Sequence, residues 1–364
     1  MSFSSRDAAR IALRRLTNQR LVGESFPTPV DAVASLGAVQ AQDYAGAKWA
    51  LGQRINDVTD AELDRLFDAG VILRTHVMRP TWHFVTPADS AWLLRLTAPR
   101  VKATMAVYER RLEIDGPLLR RSHRLLEASL RDRNHLTRTA VAARLLDRGI
   151  KAEGQRLAQL LMHAELDGLI TSGPRQGKQF TYALHAERAP GSKHLPADEA
   201  LAQLVLRFFT GHGPAQVVDF AWWSGLTVGD ARRGIADVGD ALRSESIGGK
   251  TYWSSPHSMP PKPAGHTVHL LPNYDELLIA YRDREGMVDS SIELAAASII
   301  SHVVVRDGRV IGGWKRRPVR EGVVVELGPL GAFDRQSTAA LQSAAAEYSK
   351  FLQAPVQLTG ITPR

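Results

Sequence analysis

The sequence predicts an α+β fold in which three helical modules, each closed by a β-hairpin, precede a smaller β-rich domain. Three observations carry that prediction. Stretches with an apolar period of 3.6 residues are followed by β-branched and aromatic hairpin segments, and this order recurs three times along the chain. Beyond Pro256 the composition turns to short strands. At 364 residues the chain exceeds what one hydrophobic core comfortably supports.

Composition narrows the chemistry. There is no run of about 18 apolar residues and no N-terminal signal with an apolar core, so a cytoplasmic protein without a membrane partner is expected. The absence of cysteine excludes disulfides, thiolate nucleophiles, iron–sulfur clusters and cysteine-based zinc sites. A net charge of +8 and a pI near 9.9 suit a polyanionic partner. The skew to 37 arginines among 46 basic residues, with abundant alanine, is also what GC-rich coding produces. Between Arg100 and Arg148, twelve basic residues face six acidic ones, a pattern shared by a phosphate-binding surface and by an ordinary solvated helix face.

The first module opens with Ser5 to Leu16, where Ala8, Ile11, Ala12 and Leu16 form one face and Arg10, Arg14 and Arg15 fall on others. Thr28 and Pro29 form an N-cap and first-turn pair for a helix through Leu36, which Gly37 ends. Asp43 can cap the next helix, carrying Tyr44, Trp49 and Leu51. Thr59 stands three residues before Glu62 in a capping-box pattern. Val71 to Val85 (VILRTHVMRPTWHFV) then predicts two strands turning at Pro80. Helices followed by a hairpin make a winged helix.

The same grammar follows twice more. Helices are expected over Pro117–Leu130, from Thr137 to Leu146, and over Gln155–Leu166, with a hairpin from Gly168 to Leu184 whose turn carries Arg175, Lys178 and Gln179. The third round has helices over Ala200–Phe209, Pro214–Trp222 and Thr227–Ala236, and a hairpin turning at Gly248-Gly249. The C-terminal strands are His266–Leu271, His302–Val305, Val310–Trp314 and Gly322–Glu326, with a turn at Asp307-Gly308 and a closing helix Ser337–Phe351. Their arrangement is expected to be barrel-like.

Chemistry concentrates in LGAVQAQDYAGAKW, residues 36–49. Gln40 and Gln42 do not titrate, but an amide can hold and polarise a water through its oxygen and its two N–H donors. Residues two apart share a side of an extended segment and not of a helix, and Gly37 places the pair after a helix stop. Other constellations are weaker. His266 and His269 lie three apart on a strand, on opposite faces, and lack further metal ligands. Asp275 and Glu276 read as a turn cap or as partners of Arg282 or Arg284 before they read as a catalytic pair. Trp82 reads as core or as a stacking platform, and His83 as a structural hydrogen bond or a phosphate contact. Arg79, Arg175, Lys178, Lys315, Arg316 and Arg317 are the candidate contacts to a nucleic-acid backbone.

The opening helix, VQAQDYAGAKWAL, RPTWHFV at Arg79 to Val85, Ala-Trp-Trp-Ser at Ala221 to Ser224 and LPNYDELLIAYRDR at Leu271 to Arg284 together resemble the AlkZ/YcaQ family of bacterial winged-helix DNA glycosylases. The resemblance runs the length of the chain. It implies winged helices over residues 1–115, 116–190 and 195–256 around a concave basic surface, with a C-terminal domain over 257–364. It implies a monofunctional N-glycosylase that removes alkylated purines, including bulky adducts and interstrand crosslinks, from double-stranded DNA. It also implies a monomer without cofactor or metal, associated with the nucleoid. The family's catalytic triplet matches Gln40-Ala41-Gln42, which looks like the AlkZ branch, whose members include self-resistance enzymes of makers of DNA-alkylating natural products. The DNA contacts are then expected at Arg79, Trp82, His83, Arg175, Lys178, Lys315, Arg316 and Arg317. The competing readings are a non-catalytic winged-helix regulator and, more remotely, an RNA scaffold.

Overall fold

The computed structural model describes residues 4–258, 267–284, 286–288, 302–330 and 333–360, and they form a mixed α/β fold. Local capping signals account for most helix starts. Ser4 and Asp7 form a reciprocal capping box at Ser5–Asn18, which hydrogen-bonds two otherwise orphaned N–H groups. Thr28 caps Pro29–Leu36, Asp43 caps Tyr44–Gly52, and the Thr59 hydroxyl accepts from the Glu62 amide at 3.2 Å ahead of Asp60–Ala69. One expectation for the first helix fails. Arg15 is not on a solvated face but buried, with its guanidinium 3.6 Å from the Tyr281 ring centre and its Nε donating to the Pro214 carbonyl.

The chain packs as two compact units. The first comprises described residues from 1–63, 202–223 and 228–364. It holds a hairpin, Arg243–Ile247 with Lys250–Ser254, whose Gly248 and Gly249 both have positive φ, as a two-residue turn of this type requires. Its main sheet has five strands in the order 356–359, 322–329, 309–319, 303–306, 268–271, with the first pair parallel and the others antiparallel. This sheet is open at both ends, which corrects the barrel-like expectation. The two end strands, 356–359 and 268–271, do not pair with each other, and a helix packs against both instead. That helix, Arg335–Leu352, brings Tyr348 and Phe351 against Trp49, with ring centres 4.6 and 5.1 Å apart, and Tyr348 against Trp314. Trp49 and Trp314 donate their indole N–H groups to the Leu270 and Leu271 carbonyls. The strand expected from His266 is described from Val268 only, and His266 lies outside the described residues.

The second unit comprises residues 64–201 and 224–227. Its first hairpin, Leu73–Val77 with Arg79–Val85, turns at Met78, with φ of 64°, rather than at Pro80. Pro80 sits inside the second strand without penalty, because the ladder is bulged there: His76 pairs with Trp82 and Val77 with Arg79, so the missing proline N–H is not needed. A 25-residue helix, Pro87–Arg111, follows a Thr86 cap and buries Trp92, Leu93, Leu94 and Val101. Sequence reasoning left this region unassigned, since Pro99 in its middle mimics a helix stop. Helices Gly116–Leu130, Arg138–Leu146 and Gly154–Leu166 enclose a core of Leu126, Leu130, Val141, Leu145, Leu160 and Leu161. The hairpin Ile170–Ser172 with Thr181–Leu184 packs on it and gains Leu136–Thr137 as an outer strand.

The aromatic cluster under the five-stranded sheet yields the first prediction. Phe351→Ala should cost about 3–5 kcal/mol, lowering the urea midpoint with an unchanged m-value. A loss below about 1 kcal/mol would show that the cluster does not anchor the closing helix.

Candidate active site

Gly37 terminates Pro29–Leu36 with φ of 80°. A Cβ there would stand 3.1 Å from the Trp223 ring, so both backbone and packing require glycine. The chain then runs extended through Val39–Gln40. Gln40 is 4% exposed and Ala41 is fully buried, whereas Gln42 is exposed. The two amides are therefore not equivalent. Gln40 belongs to the packed floor of the site and Gln42 to its surface. Asp43 follows at once, accepting from the Gly46 amide at 3.1 Å and lying 4.0 Å from both Arg316 Nη2 and His302 Nε2. Burial, partly offset by Asp43, holds the His302 pKa below its usual value.

Beneath the triplet lies a buried polar network. The Gln40 N–H donates to Glu276 Oε1 at 3.1 Å, while Glu276 Oε2 accepts from Trp223 Nε1 at 2.9 Å and His212 Nε2 at 3.2 Å. Glu276, His212 and Trp223 are all fully buried. Next to it, Asp275 caps Glu276–Ile279 and takes a two-pronged ion pair from Arg54, at 2.8 and 2.9 Å. Arg54 also donates to Gln19 Oε1, and Gln19 Nε2 donates to the Tyr281 hydroxyl, which donates to the His212 carbonyl. Burial drives the Tyr281 pKa well above the usual phenol range. The arginine partner of this acidic pair is thus Arg54, not Arg282 or Arg284. Sequence reasoning missed Arg54, Gln19, His212 and Trp223 as supports of the triplet. One signal was available: Glu276 leads straight into Leu277, Leu278 and Ile279, and an acid set in an apolar run needs buried partners.

The other candidates fall in different settings. In the first unit, Arg316 faces Asp43, with Nη2 4.0 Å from Oδ1. Lys315 and Arg317 alternate to the opposite face of their strand, where both are exposed and Arg317 reaches Glu326 at 3.0 Å. His269 is held to a pKa of about 4, first by burial and then by Arg54. In the second unit, Lys178 is exposed at the hairpin tip, whereas Arg175 is engaged by Asp64 and Asp68 at 2.9 and 3.0 Å. Trp82 packs with its ring centre 4.4 Å from that of His76, tilted by 42°, and 4.3 Å from the Arg74 guanidinium, which also lies over Phe180. Arg79 is half-buried on the same strand. His83 is fully buried, with Nδ1 2.9 Å from the Thr81 carbonyl oxygen.

Burial first, and then Arg79, push the His83 pKa well below 6.5. A histidine neutral in the fold must gain a proton on unfolding at lower pH, so the unfolded chain binds more protons below about pH 6.5 and stability falls there, by up to about 1.4 kcal/mol per unit. Replacing His83 with asparagine should reduce that slope by about one proton, as read from urea denaturation across the acidic range. An unchanged slope would mean that His83 is not the buried neutral group described.

Comparison with known proteins gives a consistent picture. A family model described as AlkZ-like DNA glycosylase matches residues 33–351. The interstrand DNA cross-link repair glycosylase of Streptomyces sahachiroi is 26% identical over 320 residues, which cover 83% of this chain and 85% of that protein. The solved structure of Streptomyces sahachiroi DNA glycosylase AlkZ is similar with a TM-score of 0.79 at 23% identity, covering 99% of this chain and all of that one, a likeness of fold.

Proposed function

The chain belongs to the AlkZ-like DNA glycosylase family, and from that premise we propose that it hydrolyses the N-glycosidic bond of purines alkylated at N7 or N3, with Gln40 and Gln42 at the reacting sugar. The observation that carries this reading is the asymmetry of the triplet. Gln42 is exposed to an approaching substrate, while Gln40 is packed and its backbone is tied to a buried carboxylate. The regulator reading is not favoured, because the family and its relative are named as glycosylases.

Alkylation at these positions makes the purine a cation, so the base departs neutral and needs little protonation. What remains is to place a water and to stabilise positive charge on the sugar, tasks that amide dipoles perform through position alone. The same pair is poorly suited to a neutral lesion, which asks for a general acid. The Streptomyces relative is named for interstrand DNA cross-link repair, and we extend crosslink unhooking, and with it removal of bulky adducts, to this chain. The three helix-and-hairpin segments act as winged helices, and the protein works as a monomer without a cofactor. Lys178, Lys315 and Arg317, all exposed, would contact phosphates, and Arg316 would approach the backbone beside the triplet. Arg79 and Trp82 would contribute from the first hairpin. Arg175 and His83 are better suited to shaping their hairpins, the first by its two aspartate partners and the second by its burial.

The decisive experiment incubates the protein with a duplex carrying one N7-alkylguanine and reveals abasic sites by alkaline scission. Product is expected. Its absence with several adduct sizes and with a crosslinked duplex would sink the proposal. Gln40→Ala and Gln42→Ala should each lower the single-turnover rate by about 10²-fold or more while leaving salt-dependent DNA binding unchanged. The rate should be nearly flat between about pH 6 and 9, since neither amide titrates. A bell-shaped profile would require a general acid or base outside the pair.

A further inference from the structure

A second cluster, in the other unit, has the makings of a cation site. His163 and Asp167 lie four residues apart at the end of helix Gly154–Leu166, so both side chains project from one face. His123, from helix Gly116–Leu130, meets them there. One ligand atom from each of the three lies within 4.8 Å of the others. His163 Nδ1 stands 3.1 Å, and His123 Nδ1 3.6 Å, from the same oxygen of Asp167. A tetrahedral ion with bonds of about 2.0–2.1 Å places its ligands about 3.3 Å apart, so these separations bracket the required edge.

Two further features separate this cluster from a simple ion pair. His123 sits with its Nε2 buried and without a hydrogen-bond partner among the described residues, and its Nδ1 is too far from Asp167 to hydrogen-bond. A histidine retained merely to neutralise Asp167 would close that gap, and Lys102 already binds the other oxygen of the carboxylate. His163 also has an outer partner. While Nδ1 faces the cluster, Nε2 faces Glu109 Oε1 at 3.7 Å, beyond a hydrogen bond in this structure but on the side from which a carboxylate would orient a metal-binding histidine. Lys102 and Glu109 both come from helix Pro87–Arg111, so groups from three helices converge on the point.

We propose that His123, His163 and Asp167 bind one divalent transition-metal cation, Zn2+ being the best match to two imidazoles and one carboxylate. The ion would take the place of the hydrogen between His163 Nδ1 and Asp167, leaving the ring neutral with its one hydrogen on Nε2, and only a ring that starts as imidazolium would release a proton to solvent. With three protein ligands the fourth position is left for water. The site would tie helices Gly116–Leu130 and Gly154–Leu166 together, and with Glu109 and Lys102 behind it would order Pro87–Arg111 against both. This role is independent of the glycosylase chemistry, and its test does not use that activity.

Chelator-stripped full-length protein is titrated with Zn2+ and with Co2+ in excess Mg2+, followed by calorimetry, Co2+ absorption and thermal unfolding. Saturation at one cation per chain is expected, with affinity that falls as acid protonates histidine ligands and with a raised unfolding midpoint. His123→Ala and Asp167→Asn should weaken binding by more than about tenfold, and Glu109→Gln by about tenfold. Lys102→Met keeps all three ligands and removes a competing cation, so it should bind at least as tightly as the wild type and guards against reading misfolding as lost ligation. Absence of saturable binding by the wild type would overturn the proposal. Unchanged affinity in His123→Ala and Asp167→Asn would do the same, as would loss of binding in a folded Lys102→Met.

Discussion

The arrangement of the active segment depends on one carboxylate that has no business being buried alone. Glu276 is wholly removed from water, and its oxygens are met by a backbone amide, an indole and an imidazole rather than by an arginine. Desolvating a carboxylate is costly unless each lone pair finds a donor, so the three donors and the acid select one another's positions. One donor is the Gln40 amide. The triplet is therefore tied from below through the main chain of Gln40. Trp223 does double work, since its indole N–H meets Glu276 while its ring fills the space beside Gly37, where any Cβ would intrude.

Asp275, one residue earlier, solves the same problem differently. Arg54 clamps it with both terminal nitrogens and also donates to Gln19 Oε1, from which the chain of hydrogen bonds runs on through Gln19 Nε2 and the Tyr281 hydroxyl to the His212 carbonyl. Networks of this kind are cooperative, and they penalise the loss of any member by stranding its neighbours. Other arginines, too, are committed to partners within the fold. Arg15 and Arg54 are buried, Arg10 and Arg14 are drawn to Glu245, Arg188 donates to the Phe67 and Asp68 carbonyls, and Arg175 answers two aspartates. Lys178, Lys315 and Arg317 are exposed, Arg317 while also reaching Glu326 at 3.0 Å.

What could be read from the chain alone was what local physics decides. Thr28, Asp43 and Thr59 cap the helices they were expected to cap, Gly37 stops the helix it was expected to stop, and Gly248-Gly249 and Asp307-Gly308 form their turns. Such features need only a few neighbouring residues. The errors came where distant residues decide. Arg54 and Asp275 are 221 positions apart, and nothing local in either distinguishes a buried ion pair from a solvated one. Arg15 has the helical phase of a surface residue and is buried because Tyr281 and Asp219 come to it. Pro80 and Pro99 misled in opposite senses, one read as a turn inside a bulged strand and the other hiding a helix. The candidate pair Gln40 and Gln42 was legible as chemistry, but its division into a buried and an exposed member follows from the network beneath it.

That division bears on how two neutral amides could serve a hydrolysis. A histidine or carboxylate base can tolerate some imprecision, because proton transfer itself supplies driving force. An amide has only its dipole, and a dipole stabilises charge in proportion to how well it is aimed and how little it must reorganise. If both glutamines were surface side chains, ordering them would consume much of what they contribute. Burying one and tying its backbone to Glu276 removes that cost in advance for Gln40, while the Asp43 cap and the helix it starts limit the backbone on the far side of Gln42. The polar network is thus a means by which the backbone of one residue that cannot titrate is held in place, at a cost in desolvation.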